Sequence, residues 1–136
     1  MAFWLIKSEP STWSWQDQIK NGTTHWDGVR NFQAAKNLKT MRVGDSCLFY
    51  HSGEERQIMG LVKVIKEAHP DPSDETGRFV MIEVAFEKSL TVPVKLSEIK
   101  KDERLKDLGL VKQGRLSVMP VDPVSWQILL SMGTLK

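Results

Sequence analysis

The chain has one cysteine (Cys47), one tyrosine (Tyr50) and no long apolar run; its longest, residues 1–6 and 58–62, hold six and five residues. A lone cysteine closes no internal disulfide, which excludes a disulfide-stapled scaffold and favours a reducing compartment. Runs this short fall far below the roughly 20 apolar residues of a membrane-spanning helix. No basic stretch followed by an apolar core opens the chain, so a cytoplasmic location is expected. The nine glycines are scattered and never cluster as a phosphate cradle. No phosphate loop, nucleophile elbow or metalloprotease helix is present either. Excess charge is also lacking: 19 basic against 17 acidic residues gives +2, too little for a polybasic nucleic-acid coat.

What is present reads as one globular domain, residues 1–136, with 40% hydrophobic and 26% charged residues. The charge is unevenly placed. Residues 30–42 carry Arg30, Lys36, Lys39 and Arg42 without an acid, and residues 88–115 carry eight basic residues against four acidic ones. Opposing charge gathers in residues 67–75, where Glu67, Asp71, Asp74 and Glu75 have no Lys or Arg among them. The segregation fits either a local positive face for phosphate or solvated surfaces.

Aromatic and branched residues predict strands over Phe3–Lys7, Ser46–His51, Gln57–Ala68, Phe79–Glu87 and Leu116–Met119. Ser52-Gly53-Glu54-Glu55 is a hairpin signal between the second and third of these. Helices are predicted over Trp15–Lys20 behind a Ser14 cap, Phe32–Met41 behind Asn31, and Val124–Met132 behind Asp122-Pro123. A short helix over Leu96–Lys101, opened by Ser97, and a turn or helix over Leu105–Leu110 complete the reading. Four or five strands with helices between some of them indicate an α+β domain on a curved sheet or small barrel.

Four of the five tryptophans, Trp4, Trp13, Trp15 and Trp26, fall in the first 26 residues. Trp4 in a strand and Trp126 on a helix read as core. Trp13 and Trp15 flank a helix start, one packing inward and the other covering the surface. Trp26 lies in the polar segment His25-Trp26-Asp27-Gly28-Val29-Arg30-Asn31. There an indole either stacks on a planar base whose edge its neighbours read, or plugs the end of the sheet. Cys47-x-x-x-His51 is the one His/Cys pair with ligand-like spacing, too little for zinc, and Cys47 reads as a small core residue. Pairing His51 with Glu9 as base and acid would make an enzyme of the chain, but no nucleophile or cofactor motif accompanies them.

Four segments carry a further signal: Trp4-Leu5-Ile6-Lys7-Ser8-Glu9-Pro10, Trp26-Asp27-Gly28-Val29-Arg30-Asn31, Phe49-Tyr50-His51-Ser52 and Arg115-Leu116-Ser117-Val118-Met119-Pro120-Val121. In this order they resemble the EVE domain family of the PUA-like superfamily, across nearly the whole chain. The resemblance implies a PUA-like pseudobarrel, a curved mixed or antiparallel sheet with flanking helices. It also implies a pocket similar to that of YTH domains, and a non-catalytic module that recognises a methylated or hydroxymethylated base in DNA or RNA. Trp26 would be an aromatic wall, with Lys7, Ser8 and Glu9 facing the base. Asp27, Arg30 and Asn31 would form the polar rim, and His51 and Ser52 the opposite strand end. Lys36 and Arg115 would hold phosphates, and Ser117 lies where the family motif closes the site. Residues 70–77 hold no aromatic, so a second wall falls to Trp13 or Trp15, or the pocket is open on that side. Neither metal nor cofactor is expected, and a bacterial monomer is.

Overall fold

The computed structural model describes residues 1–134. In chain order they form β1 (Phe3–Ser8), α1 (Trp15–Asn21), β2 (Thr23–Trp26), α2 (Phe32–Thr40), β3 (Ser46–His51), β4 (Gln57–Pro70), β5 (Val80–Lys95), α3 (Leu96–Lys101), α4 (Gly109–Lys112), β6 (Val118–Val121) and α5 (Pro123–Met132), with a 3-10 turn at Glu103–Leu105. Among the described residues no helix is long and apolar enough to cross a membrane.

The six described strands make one open mixed sheet in the order β2-β5-β4-β3-β1-β6. β1 and β3 run parallel, Phe3 beside Ser46 through Ser8 beside His51, and the other pairs are antiparallel. Every residue of β3 is buried, which explains its unbroken Cys-Leu-Phe-Tyr run. The register of β4 against β5 shifts at four places, and such irregularities bend a sheet. The bend is large enough for Trp26 on β2 to meet Phe49 on β3 edge-on at 5.4 Å, although β5 and β4 lie between those strands in the sheet.

The sheet buries Trp4, Trp15 and Trp126, and Phe3 stacks on Trp126 at 4.4 Å. Cys47 is a free, buried core residue whose thiol burial pushes well up in pKa. Three helix starts follow the sequence signals. Ser14 and Asp17 form a reciprocal capping box, Asn31 Oδ1 accepts from Ala34 N at 2.9 Å, and Asp122 accepts from Ser125 N at 3.0 Å.

Several expectations are corrected. Residues 23–26 form a strand, so Trp26 closes the edge strand β2 and does not sit in a polar loop. β5 continues past Glu87 to Lys95, because Leu90 and Val94 keep returning to the core. β6 covers Val118–Val121, shifted from the expected Leu116–Met119. α3 starts behind Lys95 with no side-chain cap, so Ser97 does not open it.

One glycine is required by a close approach. The Trp15 indole lies flush against β4 at Gly60, where a Cβ would fall on the ring and 2.7 Å from the Lys88 carbonyl oxygen. Gly60→Ala is therefore expected to cost at least ~1–3 kcal/mol, as overpacking does. Urea denaturation checks this; an unchanged midpoint would show that Trp15 is free to move aside.

Candidate functional site

Where β1 ends, the chain turns sharply before α1. Thr12 N and Trp13 N both donate to Glu9 O at 2.9 Å, and Ser8 Oγ donates to Trp13 O at 2.5 Å. This tight turn points Trp13 back over the strand end. Its indole N–H donates to Gln18 Oε1 at 2.9 Å, and the buried Gln18 amide is itself tied to Gly22 O at 3.0 Å.

A pocket of about 310 Å³ opens here. β1 contributes Lys7 and Ser8 with Glu9 just beyond, and the turn contributes Thr12 and Trp13. The end of β2 and the segment after it contribute His25 through Arg30, and Ser117 closes the side nearest β6. Trp26 is only 7% exposed, so most of its ring belongs to the core and the remainder to the pocket. Trp15 packs inside instead, with its indole N–H on Ser89 Oγ at 3.0 Å and its ring 4.9 Å from Phe49.

The wall after Trp26 is shaped by a residue that sequence reading left in an acidic loop. The Asp71 side chain is fully buried. It accepts from Gly28 N at 2.8 Å, Arg30 Nη1 at 3.1 Å, Ser73 N at 2.8 Å and Ser73 Oγ at 2.6 Å. Burial alone would raise its pKa, but the bonds from Ser73, Gly28 and Arg30 outweigh this and hold the carboxyl well below the carboxylate range. Gly28 turns the chain toward Asp71 at φ +74°, in the left-handed region that suits glycine. The available signal was the Asp71-Pro72-Ser73 turn, whose first side chain naturally caps the backbone two residues on. Nearby, Thr76, Phe79 N and Thr76 N bond Asp74 and lower its pKa to about 2.

The remaining sequence candidates divide. Lys7, Ser8, Glu9, Trp26, Asp27, Arg30 and Ser117 meet at the pocket. Arg30 is committed to Asp71 and Ser73 and covers the Phe79 ring at 5.2 Å. His51 is not among the lining residues. It is 4% exposed, its Nε2 accepts from Trp15 N at 2.9 Å, and its Nδ1 meets Glu55 Oε1 at 2.9 Å. Nε2 thereby anchors α1 to β3 and Nδ1 ties the hairpin after β3, which corrects the expectation that His51 faces a base. Asn31 caps α2 and borders a separate shallow hollow with Arg115, while Lys36 stands exposed on α2. Ser52 lies behind Glu9, its Oγ 3.4 Å from Glu9 Oε2. Thr12, Trp13, His25, Gly28 and Val29 complete the lining. Asp27 is exposed there and makes no side-chain hydrogen bond or ion pair among the described residues.

The family model of the EVE domain matches residues 2–132. The chain belongs to the EVE domain family. This EVE domain is 34% identical to thymocyte nuclear protein 1 of Danio rerio over 168 residues, covering 95% of this chain and 71% of that protein. Among solved structures it is similar to a Rhodopseudomonas palustris protein, at 43% identity and TM-score 0.93 over 98% of this chain and 94% of the other. It is likewise similar to the human THYN1 protein in complex with 5-methylcytosine-containing DNA, at 31% identity and TM-score 0.92 over 100% and 99% of the two chains. A YTH domain shares the fold at TM-score 0.61 and 14% identity.

Removing Asp71 leaves Arg30 and the Gly28 amide without their buried partner. Arg30 is itself exposed, so the cost lies mainly in the Gly28 and Ser73 amides left without an acceptor, and Asp71→Ala is expected to lose ~1–3 kcal/mol in chemical denaturation. Because the folded pKa is lowered, the carboxylate's contribution is full above its unfolded pKa of about 4 and is lost as pH falls through the folded value. An Asp71→Asn chain should therefore show a flatter loss of stability below about pH 4 than the wild type. An identical acid limb would contradict this.

Proposed function

We propose that this EVE domain, residues 1–136 acting as one unit, is a non-catalytic reader of a methylated or hydroxymethylated base in DNA, working as a cytoplasmic monomer. The observation that carries the reading is the solved human THYN1 chain, matched over 99% of its length and bound to DNA containing 5-methylcytosine. The pocket's chemistry supports it. A base taken out of its stack enters between Trp13 and Trp26, whose contact is worth ~1–3 kcal/mol per base. The Asp27 carboxylate, with no partner of its own among the described residues, accepts from an exocyclic amine such as that of cytosine. Ser8, Glu9 and Lys7 supply further polar contacts at the strand end, and Ser117 closes the opposite side. Burying the extra methyl contributes only ~0.8 kcal/mol. Sharper discrimination then depends on what the unmodified base leaves unpaired or unfilled.

An enzymatic reading through His51 and Glu9 finds no support in the geometry. His51 is buried with both nitrogens engaged, and Cys47 is an inert core thiol.

The test is tryptophan-fluorescence titration with short DNA and RNA oligonucleotides, each with and without 5-methylcytosine. Methylated DNA should quench at lower concentration than its unmodified twin, and Trp13→Ala should weaken it about tenfold or more. Trp13 is the better probe, because Trp26→Ala would cut into the core and cost ~3–5 kcal/mol of stability. Equal affinity for methylated and plain oligonucleotides, or a folded Trp13→Ala that binds as the wild type does, would overturn the reading. Preference for the RNA would move the substrate and keep the pocket.

A further inference from the structure

Beside the tryptophan pocket lies a second hollow of about 250 Å³, and Lys7 belongs to the walls of both. Lys7, Arg56 and Lys100 bring three cations to it, Tyr50 and Ser52 bring hydroxyls, and no acidic residue lines it. None of the three cations forms an ion pair among the described residues. The Lys7 ammonium donates to Gly114 O at 2.7 Å and stands 5.6 Å from the centre of the Tyr50 ring. Partial burial lowers its pKa, the direction expected of a cation that lacks an anion. Arg56 occupies a left-handed backbone position at φ 47°, uncommon for a residue with a side chain. Acids stand at its edges: Glu9 lies against Gly53, and Glu54 and Glu55 line an adjoining hollow that shares Arg56 and Lys100. Glu55 is already held by His51.

We propose that this hollow binds a backbone phosphate of the strand whose base enters the tryptophan pocket. The proposal rests on the base-reading function above and fixes the direction in which the strand leaves the pocket: over Lys7, Arg56 and Lys100, not across α2. Three cations without an acidic partner, together with the Tyr50 hydroxyl, match a phosphodiester, which offers acceptor oxygens and a charge but no donor. Lys36 and Arg115, the phosphate candidates of the sequence, line neither hollow.

The test titrates the full chain with a fluorescent 5-methylcytosine oligonucleotide and its unmodified twin at several salt concentrations, for wild type, Lys100→Glu and Lys36→Glu. Both substituted positions are exposed, so the fold is spared and the charge change is matched. Lys100→Glu is expected to weaken both oligonucleotides ~fivefold or more near 0.15 M salt and to reduce the slope of log K against log salt by about 1. The ratio of methylated to plain affinity stays fixed, because a phosphate carries no base identity. Lys36→Glu is expected to change little. If Lys100→Glu weakens binding no more than Lys36→Glu, the phosphate path is wrong and the base reading stands. A wild type that binds neither oligonucleotide overturns both. Lys100-dependent binding of inorganic phosphate, with oligonucleotide affinity untouched, would replace the phosphodiester with a free anion.

Discussion

The Trp15 indole lies against the bare backbone of Gly60, and most of the site's geometry depends on that contact. Its ring packs on Phe49 and Phe86, its indole nitrogen reaches Ser89, and its backbone N–H bonds His51. One residue thereby fastens the start of α1 to β3, β4 and β5. Trp13 precedes it by two residues, so the turn after β1 has little freedom left, and Trp13 must return over the strand end. Gln18, one turn along the same helix, takes the Trp13 indole N–H and completes the constraint.

The opposite wall is fixed by different means. The bending of β4 and β5 carries β2 around until Trp26 meets Phe49, and the buried Asp71 carboxylate pins the segment that follows. Packing makes one side of the pocket and charged hydrogen bonding makes the other. Both walls are therefore set before any ligand arrives, which reduces the ordering cost of binding.

Much of this was legible in the sequence where the signal was local. Capping residues Ser14, Asn31 and Asp122 start their helices as expected, and the Ser52–Glu55 hairpin joins β3 to β4. The strand-end segment Lys7-Ser8-Glu9 and the segment from Trp26 to Arg30 do meet at one pocket. What escaped the sequence is set by long-range contact. Thr23–Trp26 is too short and polar to announce a strand, and it pairs with residues about sixty positions away. His51 offered a titratable ring in a family-like motif, but its partners, Trp15 N and Glu55, are visible only once α1 has docked. Asp71 looked like loop acidity because its partners stand 41 and 43 residues earlier.

In the proposed complex Trp13 and Trp26, and not the other three tryptophans, meet the bound base. Proton–nitrogen correlation spectra of the 15N-labelled chain resolve each indole N–H separately, so addition of a 5-methylcytosine oligonucleotide tests the claim residue by residue. The Trp13 and Trp26 signals are expected to shift, while those of Trp4, Trp15 and Trp126, enclosed by the core, stay nearly in place. Shifts confined to Trp4 or Trp126, or none at Trp13 and Trp26 at saturating oligonucleotide, would contradict it.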